Sequence, residues 1–235
     1  MKRILFAAAA TAAVALAAPA LAAPASPAVD WTGLYLGAHT GFGFASEDWA
    51  QTYSSLALAL DSSVKPVKPE GVLAGVQAGY DFQSGPWVFG VGGDWSWTDQ
   101  RARADHVVFT SYGGDSKLDW TATATGRVGY AVSQSLIYVN AGGAFAGEKS
   151  FITFDGARVT DIRSGTRAGW TVGGGVETKL RNHWSAALEY SYADYGKDKF
   201  IYTYNAHPAG LIEDWNLKTT DQAVKLRINY RFGAF

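Results

Sequence analysis

The chain ends in a segment whose apolar and polar residues alternate without interruption. From Val224 to Phe232 every even position is apolar, and from Lys225 to Arg231 every odd position is polar or charged. Strict alternation with a period of two predicts a β-strand with two unlike faces. The apolar face of such a strand meets a protein core in a soluble sheet and lipid in an outer-membrane barrel, so this segment alone leaves both folds open.

The same alternation recurs upstream and predicts eight strands in all. We expect them over residues 31–44, 71–82, 87–98, 118–132, 136–147, 168–180, 184–196 and 220–232. In the fourth strand the phase places Leu118 and Trp120 on the apolar face and Asp119 and Thr121 on the polar face.

The lengths of the connections favour a barrel. Tight turns of three or four residues join strands 2–3, 4–5 and 6–7, whereas links of about 20 to 26 residues join strands 1–2, 3–4, 5–6 and 7–8. This alternation predicts an all-β fold, an eight-stranded antiparallel up-and-down transmembrane β-barrel with short periplasmic turns and four long extracellular loops. A soluble eight-stranded sandwich is the alternative, but its loops rarely sort so cleanly by length.

The loop sequences predict further β-structure outside the membrane. The Asp155-Gly156 pair is a strong signal for a two-residue hairpin. We expect strands 3–8 to continue as hairpins and the link over residues 45–70 to be the loosest part.

Aromatic residues cluster at both ends of the predicted strands, as expected for a hydrocarbon band between two interfaces. The turn end carries Trp87, Tyr130, Trp184, Tyr230 and Phe232, and the loop end carries Trp95, Trp97, Trp120 and Trp170.

The first residues have the pattern of an export signal. Lys2 and Arg3 precede an apolar run, and a small-x-small cleavage site follows Pro19. We predict a signal peptide over residues 1–22, a short periplasmic leader over 23–30 and a barrel domain over 31–235, located in the cell outer membrane; a retained anchor is the alternative. Removing the two signal-peptide cations changes the net charge from -1 to about -3, which gives no reason to expect nucleic acid as a partner. Without cysteine, the exported chain has neither disulfides nor a thiolate metal site.

The inner faces of the predicted strands carry charges of both signs. An eight-stranded barrel has an interior that side chains just fill, and buried charges must be paired. We predict a lumen polar network of Arg127, Glu177, Glu189, Lys225 and Arg227, with Gln77, Asp81, Asp94, Asn140, Lys179 and Asn229 on the same inner faces. A filled structural lumen is the favoured interpretation, and a gated pore or proton path is the alternative.

The histidines give little support for a cofactor or metal site. His39, His106, His183 and His207 are scattered, without the spacing of metal ligands, so we predict no metal site. His106 and His207 fall in long loops near tyrosines and are the candidate ligands for haem, the one cofactor considered. No residue is assigned a catalytic role, and an enzyme is the least favoured class.

Both ends of the predicted barrel resemble a known family. The start, Asp30-Trp31-Thr32-Gly33-Leu34-Tyr35-Leu36-Gly37-Ala38, and the ending Asn229-Tyr230-Arg231-Phe232 are similar to alphaproteobacterial outer-membrane β-barrels of the outer-membrane immunogenic protein and haem-binding surface antigen type. That family is related to opacity and OmpA-type barrels.

The resemblance implies a non-catalytic surface protein that supports envelope integrity and makes surface interactions through its loops. A haem-binding receptor or a small-solute porin is the alternative function. The expected partners are outer-membrane lipid and lipopolysaccharide, the barrel-assembly machinery, and host surface molecules. The last strand resembles the signal that the assembly machinery reads, and we assign that signal to Tyr230, Phe232 and Phe235.

Overall fold

A computed structural model shows a closed barrel of eight long strands. It describes residues 29–54, 68–105, 112–154, 157–158, 163–181, 183–204 and 211–232. The strands are β1 (Gly33–Ser54), β2 (Glu70–Ser84), β3 (Trp87–Asp105), β4 (Tyr112–Val132), β5 (Ser135–Phe154), β6 (Arg163–Lys179), β7 (Trp184–Tyr204) and β8 (Leu211–Phe232). A two-residue strand, Ala157–Arg158, pairs with the end of β5.

Every long strand pairs antiparallel with its neighbours in the chain, and β1 pairs with β8 to close the ring. Over the part in which all neighbours pair, closure leaves the sheet without a free edge. The prediction of an eight-stranded up-and-down barrel is therefore confirmed. In the part of the chain that the structure describes, no helix is long and apolar enough to cross a membrane.

The barrel wall has apolar side chains on its outer face and polar side chains on its inner face, the reverse of a soluble protein. On β8, Leu226 is 52% exposed on the outside, whereas its neighbour Arg227 is 9% exposed on the inside. Most side chains of the predicted strands are divided in the same way, with apolar groups outward and polar groups buried in the lumen; Val88 and Leu136 are apolar exceptions that lie inside. This is the arrangement that a lipid-facing barrel requires.

Two predicted orientations are wrong. Leu118 is predicted to face lipid, but it is completely buried in the lumen, whereas Asp119, predicted on the inner face, contacts the outward-facing Lys117 and Lys149. The register of β4 against β5 shifts between Leu118 and Trp120, so Asp119 forms a β-bulge. An extra residue in one strand reverses the alternation beyond it. Leu118 consequently pairs with Gln100 and Glu148, which are also buried.

The strands are longer than a membrane requires. At 22 residues, β1 and β8 extend over about 70 Å, against an apolar band of about 25 Å. The excess lies at the loop end, where β1 continues to Ser54 instead of ending at Phe44 as predicted, and pairs there with β8. Phe154 pairs with Ala157, on either side of the predicted hairpin at Asp155 and Gly156, which themselves lie outside the described residues.

Tight turns close the other end of the barrel. Two-residue turns follow β2 and β4, and each places its first residue at positive φ, Gly85 at 60° and Ser133 at 54°. A positive φ at the first turn position matches the right-handed twist of the flanking strands, as in type II′ hairpins.

Contacts between aromatic rings mark two belts around the barrel. At the turn end, Trp184 meets Tyr230 edge-on, with ring centroids 5.2 Å apart. At the loop end, Trp95 stacks on Trp120 with centroids 4.5 Å apart. Trp87 and Trp95 lie eight residues apart on β3, a separation of about 27 Å along the strand. Because barrel strands are tilted by about 35–45°, this distance spans about 20 Å of an apolar band that is about 25 Å tall.

Candidate functional site

The lumen contains a network of ion pairs, and its first part lies near the turn end. Arg127 on β4 contacts the carboxylates of Asp81 and Glu177, the latter at 3.1 Å. Arg231 on β8 contacts the same two carboxylates, at 2.8 and 2.9 Å. Two guanidinium groups and two carboxylates from four strands therefore form a closed square of opposite charges.

Glu177 is the most heavily bonded member of this square. Its side chain is fully buried. Besides the two arginines, it accepts hydrogen bonds from Ser185 Oγ at 2.6 Å and from Asn229 Nδ2 at 3.0 Å. A buried carboxylate needs such partners because its loss of hydration is otherwise uncompensated.

A second group of charges lies further along the lumen. Asp94 contacts Lys225 at 2.7 Å and Arg227 at 3.4 Å, and Thr123 Oγ1 donates to it at 2.5 Å. Arg227 also pairs with Glu189. The second oxygen of Glu189 accepts hydrogen bonds from the Tyr138 hydroxyl and the Asn140 amide, at 2.8 and 3.0 Å.

Neutral side chains join the two groups of charges. Asn229 Oδ1 accepts from Gln77 Nε2 at 2.8 Å, and Gln77 Oε1 lies 2.6 Å from His39 Nδ1. His39 Nε2 lies 2.8 Å from Ser96 Oγ, and Ser96 Oγ lies 3.5 Å from Asp94 Oδ1. Because an amide oxygen only accepts, Nδ1 of this histidine carries the proton in the neutral ring. We call this connected set the lumen network; its members are His39, Gln77, Asp81, Asp94, Ser96, Arg127, Glu177, Glu189, Lys225, Arg227, Asn229 and Arg231.

Apolar clusters lie at both ends of the lumen network. At the turn end, fully buried Trp31 packs with Val88 and Leu136, and Arg231 stacks 4.7 Å from its ring centroid. At the loop end, Leu118 and Tyr195 form a second cluster with four alanines. The Glu148–Arg167 ion pair is buried on the loop side as well.

The backbone just before β1 is fastened across the turn end. Trp31 N donates to Gln83 Oε1 at 2.6 Å, and its carbonyl accepts from Arg231 at 3.1 Å. Lys179 Nζ donates to the Asp30 carbonyl at 2.5 Å. These bonds hold the Trp31 ring over the turn end of the lumen network.

The centre of the lumen network encloses a small cavity. The cavity between Asp94, Arg127 and Glu189 has a volume of about 30 Å³. One water molecule needs roughly 10–15 Å³ measured in this way, so the cavity holds about two. The residues of the lumen are thus arranged as a filled, mutually neutralised core.

The structure places all five predicted lumen residues, Arg127, Glu177, Glu189, Lys225 and Arg227, inside the barrel. It brings Arg127 to Glu177 and Arg227 to Glu189, while Lys225 pairs with Asp94. Sequence reasoning did not single out Arg231 or Trp31. The alternation along the last strand indicates that Arg231 faces inward. Trp31 precedes β1, so no alternating pattern indicates that its side chain lies in the lumen.

The other predicted site residues divide into two groups. Tyr230 and Phe232 lie on the outer face at the turn end, with ring centroids 4.9 Å apart. His106, His207 and Phe235 lie outside the described residues, so the haem ligands and the terminal part of the assembly signal stay predictions. Within the described ranges, no group of three or more potential ligand side chains is arranged to hold a metal ion.

A smaller charge cluster lies on the outer surface at the loop end. Asp119 contacts Lys117 at 2.8 Å and Lys149 at 2.6 Å. Hydrogen bonds from these two ammonium groups hold the pKa of the Asp119 carboxyl below its ordinary value. A groove of about 370 Å³ adjoins this cluster.

Comparisons with known proteins agree with the barrel. A family model described as outer membrane protein beta-barrel domain matches residues 8–232. The chain is 28% identical to a 31 kDa outer-membrane immunogenic protein of Brucella melitensis biotype 1, over 86% of this chain and 84% of that protein. It is 31% identical to a 22 kDa outer membrane protein of Rhizobium leguminosarum bv. viciae, over 88% of this chain and 80% of that protein.

A solved structure shows the same fold at low sequence identity. The outer membrane protein OprG from Pseudomonas aeruginosa is 13% identical, with a TM-score of 0.60, over 86% of this chain and 97% of that chain.

Proposed function

Because the chain belongs to the outer membrane protein beta-barrel domain family, we propose that it is a non-catalytic surface protein with a sealed lumen. It supports the integrity of the envelope through its barrel and makes surface interactions through its extracellular parts. The relatives described above are named as outer-membrane and immunogenic proteins, which supports a surface role and not an enzymatic one.

The observation that carries the proposal is the continuous lumen network. A solute crossing the barrel would have to separate Arg127 from Glu177 and Arg227 from Glu189. Separation would leave buried charges without partners, at a cost of several kcal/mol for each ion. The cavity at the centre of the network, among the residues that the structure describes, holds about two waters, which favours the closed state over a porin.

The extensions of the strands support a role at the cell surface. β1 and β8 stay paired as far as Ser54 and Glu213, and β7 and β8 as far as Tyr204 and Leu211. The membrane needs only about 9–11 residues of each strand. The remainder forms a wall of β-structure outside the membrane on which the long loops are carried.

Conductance across a planar lipid bilayer tests the sealed lumen. We expect the purified wild-type barrel to give no steady open-channel current. A Glu189→Ala/Arg227→Ala variant removes the central ion pair and widens the lumen, and its currents show that the barrel inserts in the assay. Steady wild-type currents under the same conditions contradict the proposal.

A deletion strain tests the envelope role separately. Loss of the protein is expected to raise sensitivity to detergent and to a chelator of divalent cations, and expression of the wild type restores resistance. Expression of the Glu189→Ala/Arg227→Ala variant in the same strain tests whether resistance requires a sealed lumen, provided that the variant inserts into the membrane. Unchanged sensitivity in the deletion strain contradicts the envelope role.

A further inference from the structure

Two lysines lie directly opposite each other on neighbouring strands of the outer wall. Lys117 on β4 and Lys149 on β5 are direct Cα partners. Their neighbours Leu118 and Glu148 are buried in the lumen, so the alternation directs both lysines outward, where their side chains are 35% and 50% exposed. Like charges directly opposite each other destabilise a sheet.

Asp119 compensates only part of this repulsion. It contacts both lysines from the β-bulge of β4. The three side chains carry a net charge of +1. The next cation in the same row, Arg101 on β3, is the Cα partner of Lys117 on one side and of Glu70 on the other. It is paired with Asp99 at 2.6 Å, so nearby carboxylates already balance its charge.

The groove beside the lysine pair is polar with one aromatic wall. It is lined by Asp119, Trp120, Glu148, Lys149, Thr166 and the backbone around Gly147 and Gly165. The Glu148 carboxylate is paired with Arg167, so its charge is compensated within the protein. Its volume of about 370 Å³ lies in the range of small-ligand sites, roughly 300–1,000 Å³.

Gly147 gives the groove its aromatic wall. A Cβ atom at this position would lie 2.1 Å from Trp120 Nε1. Trp120 occupies that space and stacks on Trp95, with an angle of 12° between the ring planes. The indole therefore has a fixed position at the edge of the groove.

The location of the groove identifies its occupant. It lies immediately on the loop side of the Trp95–Trp120 stack, where the aromatic belt meets the outer headgroup layer. In an outer membrane this layer consists of phosphorylated glycolipid. We infer that Lys117 and Lys149 bind a phosphate of this glycolipid, with its sugar in the groove against Trp120. The inference rests on the outer-membrane location and not on the sealed lumen. A failure of the conductance prediction therefore leaves the lipid-binding prediction intact, and the reverse also holds.

Binding of purified diphosphorylated lipid A to the barrel in detergent tests the inference. Native mass spectrometry counts the bound lipid, and titration gives its affinity. We expect the Lys117→Gln/Lys149→Gln variant to bind about five- to tenfold more weakly, because each exposed ion pair contributes modestly. Asp99→Asn/Arg101→Gln is the matched control, because it removes an adjacent ion pair without changing the net charge, and it is expected to bind as the wild type does. A heat-dependent shift in gel mobility shows that each variant is folded.

Three further probes identify the source of the phosphate. Lipid A treated with phosphatase, phosphatidylglycerol vesicles and inorganic phosphate are all expected to bind or compete weakly. Equal binding of dephosphorylated lipid A or phosphatidylglycerol overturns the inference, as does full competition by millimolar inorganic phosphate. Equal weakening by Asp99→Asn/Arg101→Gln, or no weakening in Lys117→Gln/Lys149→Gln, overturns it as well.

Discussion

Replacing Glu177 by glutamine removes one negative charge from the square of ion pairs without changing the size of the side chain. The hydrogen bond from Ser185 can persist, but Arg127 and Arg231 are left with Asp81 as their shared carboxylate. All of these side chains are at least nine-tenths buried. An uncompensated buried charge of this kind costs about 3–5 kcal/mol. That is a large share of the stability of a typical domain, about 5–15 kcal/mol.

Unfolding by urea in detergent micelles, followed by tryptophan fluorescence, measures this loss. Asp119→Asn is the matched control, because it also removes a carboxylate shared by two cations, but at the surface. There we expect a loss of at most about 1 kcal/mol. Both variants must keep the wild-type dependence of the unfolding free energy on urea for the comparison to hold.

A second substitution separates charge imbalance from general damage. In Glu177→Gln/Arg231→Gln the excess positive charge is gone, and Asp81 retains Arg127 as its partner. We expect the double variant to lose less than the sum of the single losses, by about 1–3 kcal/mol. Additive losses, or a Glu177→Gln variant within about 1 kcal/mol of the wild type, would refute the reasoning.

Three further predictions concern the ends of the barrel and the loops. Trp31→Ala removes the ring over the turn end and should lower the unfolding free energy by about 3–5 kcal/mol, with a smaller loss for Trp31→Phe, in the same urea experiment. Phe232→Ala should reduce the yield of assembled barrel in membranes more than Phe235→Ala, because Phe232 lies in the strand register opposite β1; equal or reversed yields contradict this. If the long loops bind haem, titration followed at the Soret band should weaken on replacing His106 and His207, and an unchanged titration would exclude them as ligands.

Much of this fold is predictable from the sequence because a barrel wall has a period of two. Alternation separates Leu226 from Arg227 without any knowledge of the neighbouring strands. It fails at Leu118, because a β-bulge changes the phase and has no signature in the pattern of apolar residues. The end of β1 at Ser54 was also missed, since pairing with β8 and not apolar alternation maintains that part of the strand.

The partners within the lumen are harder to predict than its members. The inner-face positions of Arg127 and Glu177 follow from alternation, but their contact depends on the register between strands that are distant in sequence. Arg231 contacts the Trp31 carbonyl across 200 residues of chain. The pattern along one strand does not determine the register between distant strands. The sequence therefore predicts which charged residues lie in the lumen better than it predicts which of them form ion pairs.

Most of the cations that neutralise the lumen carboxylates come from the last strand. The lumen is therefore electrically neutral only when that strand has completed the ring. Lys225, Arg227 and Arg231 all come from β8. A chain truncated before β8 would leave Asp94 without the two cations that contact it and Glu189 without its arginine. Such a product carries an excess of buried negative charge as well as open edges, so it would be unstable even where its remaining strands pair correctly. The ionic core thus distinguishes a finished barrel from a partial one.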